Sequence, residues 1–301
     1  MFAVVWASMV GHDTFTVDSV NGALVGWCGG AAGPRVLLLH GGPGLSFAYL
    51  DELAAELESN FEVASFQQRG LEPSTLEGPF TMAQAIEDVV CVLDGLQWDR
   101  AFAVGHSWGG HLALRVAAAH PERLLGVLAV EPIGVVGDGG VAAFEAEIIA
   151  RTPRAARERA RELDDRAMAG EATPEESLES MRLVWPAYFA DPENAPPMPD
   201  EKVSIEAYSG LIGQITTDTD RVAAELAKGD VPLGIVAGAG SPIPWGQAAR
   251  ASVELSPRAF LDVVPNAGHF IWHEAPGRVR AALGRLSESR REVVTDPMPL
   301  P

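Results

Sequence analysis

Positive charge is scarce in this 301-residue chain. Lysine occurs only at 202 and 228, and Lys plus Arg number 22 against 41 Asp plus Glu, a formal net charge of −19. A nucleic-acid surface must neutralise phosphates, and an anionic membrane attracts basic segments, so neither partner is expected. Cysteine is scarce too. Cys28 and Cys91 cannot build a disulfide framework, and both sit in apolar runs (LVGWC, VVCVL) that predict buried free thiols. Long apolar runs are missing: nothing approaches the roughly 18 residues of a membrane span. The opening MFAVVWASMV is apolar, but it is short and lacks the basic start of a signal peptide. These absences together predict a cytoplasmic protein. What is present is a core: 47% of residues are hydrophobic, too many for a disordered chain.

The pattern along the chain is strand and helix in alternation. Residues 14–30 read as a hairpin around Asn21-Gly22. VLLLH (36–40), FEVASF (61–66), AFAVGHS (101–107) and LLGVLAVE (124–131) read as strands, several apolar on both faces as parallel strands are. Amphipathic helices are expected between them, at 82–96 and 111–120 among others. From about 138 to 228 the alternation stops and only helical stretches appear. It resumes with VPLGIVAG (231–238), AFLDVVP (259–265) and a helix at 274–286. The fold class is therefore α/β, a mostly parallel sheet flanked by helices and interrupted by a helical insertion. The core is expected at 1–137 and 229–291, the helical cap at 138–228 and a loose tail at 292–301.

Three short segments carry chemistry. GHSWGG (105–110) holds G-x-S-x-G between an apolar strand and an Ala-rich helix, the context in which a sharp turn exposes a nucleophile, here Ser107. HGGPG (40–44) ends a strand with residues flexible enough to turn backbone N–H groups toward an anion. With the turn at 107, it predicts an oxyanion hole made by the N–H groups of Gly42 and Trp108. NAGH (266–269) places His269 in a loop after the last core strand, late in the chain, where a base is required. His273 follows four residues on, but no third ligand accompanies the pair, so neither metal nor cofactor is expected. His40 is expected to buttress its loop, and His106 to pack. Trp185 and Trp245 are candidate walls of the substrate pocket.

HGGPG, GHSWGG and NAGH together resemble the α/β-hydrolase superfamily over essentially the whole chain. HGGPG, Gln68-Arg69-Gly70 and the S-W-G of the turn look most like its proline iminopeptidase branch. That resemblance implies a cap between the sixth and seventh strands of the sheet, where 138–228 falls. It departs at Gln67, where the branch usually has Asp, and at His106 beside the nucleophile. It departs most at the third triad member. The family usually places an acid after the seventh strand as G-x-x-D, and here Gly238-Ala239-Gly240 leads to Ser241. Glu131, directly after the apolar strand LAVE, is the candidate replacement, as in certain haloalkane dehalogenases. The alternatives are a Ser–His dyad with Glu131 facing the cap, and Asp262, seven residues before His269.

The reading is a serine hydrolase that cleaves a small ester or amide, with a small molecule or short peptide as substrate. The branch resemblance implies a prolyl aminopeptidase. Esters, lactones, thioesters and carbon–carbon bonds are alternatives on this scaffold, as is a non-catalytic ligand-binding member. Haloalkane dehalogenase or epoxide hydrolase chemistry needs a carboxylate nucleophile at the turn, and Ser107 excludes it. Residues 138–230 hold 20 acids and 10 bases, which suits recognition of a substrate cation but equally a solvated helix face. No sequence feature specifies an oligomeric state.

Overall fold

The computed structural model describes residues 5–9 and 12–295. Its strands are β1 (Val5–Met9), β2 (His12–Ser19), β3 (Gly22–Gly30), β4 (Arg35–Leu39), β5 (Glu62–Phe66), β6 (Ala101–His106), β7 (Leu124–Val130), β8 (Leu233–Gly238) and β9 (Ala259–Val264). They form one sheet in the order β1-β2-β3-β5-β4-β6-β7-β8-β9. The first four in that order pair antiparallel. From β5 across to β9 every pairing is parallel. Every residue of β6 and β8 is buried, as a central strand covered on both faces must be.

Around the sheet lie α1 (Asp51–Glu58), α2 (Met82–Gly95), α3 (Trp108–Ala119), α9 (Ala251–Val253), α10 (Ile271–Glu274) and α11 (Arg278–Thr295). Between β7 and β8 come α4 (Val141–Arg151), α5 (Arg157–Met168), α6 (Pro174–Val184), α7 (Ile205–Ile212) and α8 (Thr219–Lys228). The pleat sorts β4 between two apolar layers. Leu37 and Leu39 join the layer of Val89, Leu112 and Val116, whereas Val36 and Leu38 join that of Leu53, Leu57 and Leu283.

The hairpin closes as its Asn-Gly pair predicts: Ser19 pairs with Gly22, and Asn21 and Gly22 both take positive φ. Elsewhere the boundaries move. Helix α3 starts at Trp108, three residues before the expected start, because the turn at Ser107 leads straight into it. The last helix runs to Thr295, so the expected loose tail begins as helix, and residues 296–301 lie outside the described residues. The apolar opening contributes an edge strand, β1, that the pattern did not call; its residues 1–4 and 10 also lie outside them. Cys28 and Cys91 are free but only half-buried, not buried as expected. Burial with neighbouring acids still pushes the Cys28 thiol up to about 12. Among the described residues no helix is long and apolar enough to cross a membrane.

Arg69, in the segment after β5, is buried against Asp88 of α2. Its Nε donates to Oδ2 at 2.6 Å and its Nη2 to Oδ1 at 2.7 Å. Its Nη1 donates to the Glu77 carbonyl at 2.9 Å, so the pair ties this segment to α2 and to the loop before it. Removing one charge of such a pair strands the other without solvent. Asp88→Asn should therefore lose about 3–5 kcal/mol, read as a lowered urea midpoint with unchanged slope. A midpoint within error of the parent would contradict this role.

Candidate active site

Strand β6 ends at His106, and α3 begins at Trp108, so a single residue makes the reversal. Ser107 takes φ +55° and ψ −119°, which a residue with a Cβ tolerates only where its surroundings enforce it. Two glycines make the turn possible. A Cβ on Gly105 would sit 2.1 Å from the Gly109 carbonyl oxygen, and one on Gly109 would sit 2.2 Å from the Leu39 carbonyl oxygen. The Ser107 N–H donates to the Val130 carbonyl at 2.9 Å, and its carbonyl accepts the His111 N–H at 3.0 Å. Ser107 thus stands at the C-terminal edge of the sheet, at the positive end of α3.

Ser107 lines a cavity together with Gly41, Gly42, Tyr49, Glu201 and His269. Met181, Trp185 and Tyr188 of the helical insertion form its opposite wall. The insertion is fastened to the core loops nearby. Arg151 donates to the carbonyls of Gly240 and Phe189, each at 2.6 Å, and the His269 N–H donates to the Tyr188 carbonyl at 2.8 Å. Trp185, one expected wall, is there. Trp245, the other, is not among the lining residues. It follows the turn after β8, and the Arg250 guanidinium lies over its ring at 4.8 Å.

The acid and the base meet. Glu131, the first residue after β7, takes φ +52° and is almost fully buried. Its Oε2 lies 3.3 Å from Nδ1 of buried His269. Its carboxylate is also held from β8 and the turn that follows: Gly238 N–H donates to Oε1 at 2.5 Å, and the Ser241 hydroxyl donates to Oε2. Asp262 does not join them, being paired with Arg278 at 2.7 Å. Burial acts on both partners. It pushes the Glu131 carboxyl up to about 8, opposed by the Ser241 and Gly238 hydrogen bonds, and it pushes His269 down to about 3.

The HGGPG loop is built to present one N–H. Gly41 donates its N–H to the Tyr49 hydroxyl at 2.5 Å. Among the described residues no protein acceptor takes the N–H of Gly42 or of Trp108. His40 holds the loop from behind: its Nδ1 donates to the Gly41 carbonyl at 3.0 Å, and its Nε2 accepts the Gln68 N–H at 3.1 Å. Gln67, where the resemblance expects Asp, clamps the same loop by accepting from Phe47 N–H at 3.1 Å and donating to the Leu45 carbonyl at 3.0 Å. The Trp108 indole donates to the Gln68 side chain at 2.9 Å, tying α3 to this support.

His106 is buried and packs, but it is also wired. Its Nε2 donates to the His269 carbonyl at 3.0 Å, which leaves Nδ1 to accept the Tyr49 hydroxyl at 2.9 Å. Burial holds His106 well below the usual histidine range, which fits this singly protonated ring. Tyr49 and Glu201 are among the lining residues that escaped sequence reading. Tyr49 sits in a short helical turn, and Glu201 follows the Pro-rich connection, where no motif marks either. Glu201 accepts the Ser46 N–H at 3.3 Å and has no basic partner among the described residues; burial pushes it up to about 7. Among the described residues no group of three or more His, Cys, Asp or Glu is placed to hold a metal ion.

Comparison with known proteins agrees with this architecture. The chain is 34% identical over 101 residues to Epoxide hydrolase B of Mycobacterium tuberculosis, covering 33% of this chain and 28% of that enzyme. It spans less than half the length of the first curated relatives it matches. Among solved structures it resembles VinJ, with TM-score 0.68 at 21% identity over 91% of this chain and 97% of that one. It also resembles a thermophilic esterase from Thermogutta terrifontis, with TM-score 0.65 at 18% identity over 96% and 99%. At such identities the likeness is one of fold. The model of the alpha/beta hydrolase family matches residues 36–282, from the first buried parallel strand through the turn at Ser107 and the base loop into the last helix, and the chain belongs to that family.

Proposed function

We propose that this chain is a serine hydrolase that cleaves a small ester or amide through an acyl-enzyme. The observation that carries the proposal is the contact of His269 Nδ1 with buried Glu131 in the wall of the cavity that Ser107 lines. An imidazole whose Nδ1–H is given to a carboxylate has its lone pair on Nε2. That nitrogen takes the Ser107 proton as Oγ attacks the substrate carbonyl carbon. The N–H groups of Gly42 and Trp108 hold the oxyanion, and losing one such donor typically costs ~10²–10³ in turnover. His269 then gives the proton to the leaving alcohol or amine. Water, deprotonated by the same nitrogen, releases the acid and restores Ser107. The name Epoxide hydrolase B does not carry over, because a hydroxyl stands at the turn.

The helical insertion acts as a cap that excludes water while the acyl-enzyme lasts. Its walls are mostly apolar, with Glu201 as the carboxylate that reaches the cavity. A neighbouring cavity shares Gly42, Leu45, Met181 and Tyr188 and extends the site under the insertion. An unpaired carboxylate beside an apolar wall favours a substrate with an amine near the scissile carbonyl, as in a prolyl aminopeptidase.

A panel of prolyl-arylamides, short acyl esters and lactones tests this, with Ser107→Ala as the blank. Cleavage that Ser107→Ala abolishes supports the serine hydrolase; no Ser107-dependent release, and no fluorophosphonate adduct on Ser107, overturns it. Glu201→Gln should lower kcat/KM for prolyl-arylamides by about tenfold while leaving neutral esters unchanged. Equal effects on both substrates would remove the amine from the reading.

A further inference from the structure

The position that usually supplies the acid has a different task in this chain. We infer that Ser241 is a positioning residue, a hydroxyl clamp that aims the Glu131 carboxylate at His269; this rests on the acyl-enzyme reading above. The direction of the hydroxyl is fixed by its other partner. Ser241 Oγ accepts the Ile243 N–H at 3.1 Å, so its own proton is free to point at Glu131 Oε2, and it does. Oε2 is also the oxygen that faces His269 Nδ1. The other oxygen, Oε1, is taken by the Gly238 N–H at 2.5 Å. The carboxylate thus faces three donors, and two of them come from the end of β8 and the turn after it.

The need for such a clamp follows from where Glu131 starts. It leaves β7 in the left-handed region, with its N–H tied to the Val236 carbonyl at 2.8 Å. Its long side chain must then settle in one rotamer, and an unclamped carboxylate in a buried site would take up a proton. The titratable groups packed about the pair are His269 itself, His106 at 4.4 Å and Tyr188 at 5.0 Å from it between ring centroids; burial keeps all three neutral, so none supplies a counter-charge. Hydrogen bonds to the ionised form are therefore what oppose the effect of burial on Glu131, and the Ser241 and Gly238 bonds both lower its pKa. Gly238 donates from its backbone, so Ser241 is the part of the clamp that a substitution can remove.

The test uses the full chain and the rate of Ser107 phosphonylation by a fluorophosphonate from pH 5 to 10, so no natural substrate is required. Ser241→Ala should slow labelling about tenfold at pH 7 and move the acidic limb of the profile about one unit toward alkaline pH. The sign follows from the lost donor: without it Glu131 holds its proton to higher pH. Ser241→Thr keeps the hydroxyl and should restore both rate and limb, which mere loss of packing would not explain. An unchanged limb in Ser241→Ala, with Glu131→Gln slow, overturns the clamp while leaving Glu131 as the acid. Parent-like labelling by Glu131→Gln overturns the acid assignment and the clamp with it.

Discussion

Glu131→Gln should lower kcat/KM by about 10³–10⁴-fold on any substrate that Ser107 turns over. Loss of charge is one reason: the imidazolium formed as Ser107 attacks would have no counter-ion, and a misprotonated histidine costs about this much in other triads. Donor arithmetic is the other. Both Glu131 oxygens are acceptors, Oε1 from Gly238 N–H and Oε2 from the Ser241 hydroxyl and His269. A glutamine must place its NH₂ against one of these donors. Facing Gly238, it meets an N–H that cannot reverse. Facing His269, it donates to Nδ1 and moves the ring proton to Nε2, the nitrogen that should act as base. Steady-state kinetics of the purified variant, with circular dichroism as the check on folding, measures the effect. Activity within threefold of the parent would show that the acid lies elsewhere.

Gly105→Ala should give no stably folded protein, or one destabilised by more than about 4 kcal/mol. The added carbon would lie 2.1 Å from the Gly109 carbonyl oxygen and 2.6 Å from the Gly110 nitrogen. Those are backbone atoms of the first turn of α3, whose axis is fixed by Leu112, Val116 and the strands beneath. No side chain can rotate away, so β6 and α3 would have to separate at Ser107. Gly213→Ala is the matched control, because nothing lies within 4 Å of a Cβ there and its φ is −68°. Urea unfolding should place the control within about 0.5 kcal/mol of the parent. A Gly105→Ala protein as stable as the control would mean that the turn is looser than described.

Much of this was readable from residues, for reasons that differ by element. The turn at Asn21-Gly22, the doubly apolar strands and the Gly-rich segments at 40–44 and 105–110 are local signals, each complete within a few positions. Ser107 and His269 could be named because their segments follow strands whose ends share one sheet edge. Glu131 was reached by elimination, from a serine where an acid was due. The task of Ser241 was not readable, since a hydroxyl's direction depends on its neighbours, here Ile243 N–H and Glu131. Tyr49 and Glu201 were invisible because only folding brings residues 49 and 201 beside residue 107. Trp245 was misplaced because one turn of backbone after β8 decides whether a ring faces the cavity or stacks under Arg250.

The line from Gly41 through Tyr49 and His106 to the His269 carbonyl has a mechanical side. It joins the loop after β4, the end of β6 and the loop after β9 by three successive hydrogen bonds, each with its donor and acceptor fully committed. The loop that receives the oxyanion and the loop that carries the base are therefore joined through the end of β6, and a displacement of Gly41 has a hydrogen-bonded route to the His269 backbone.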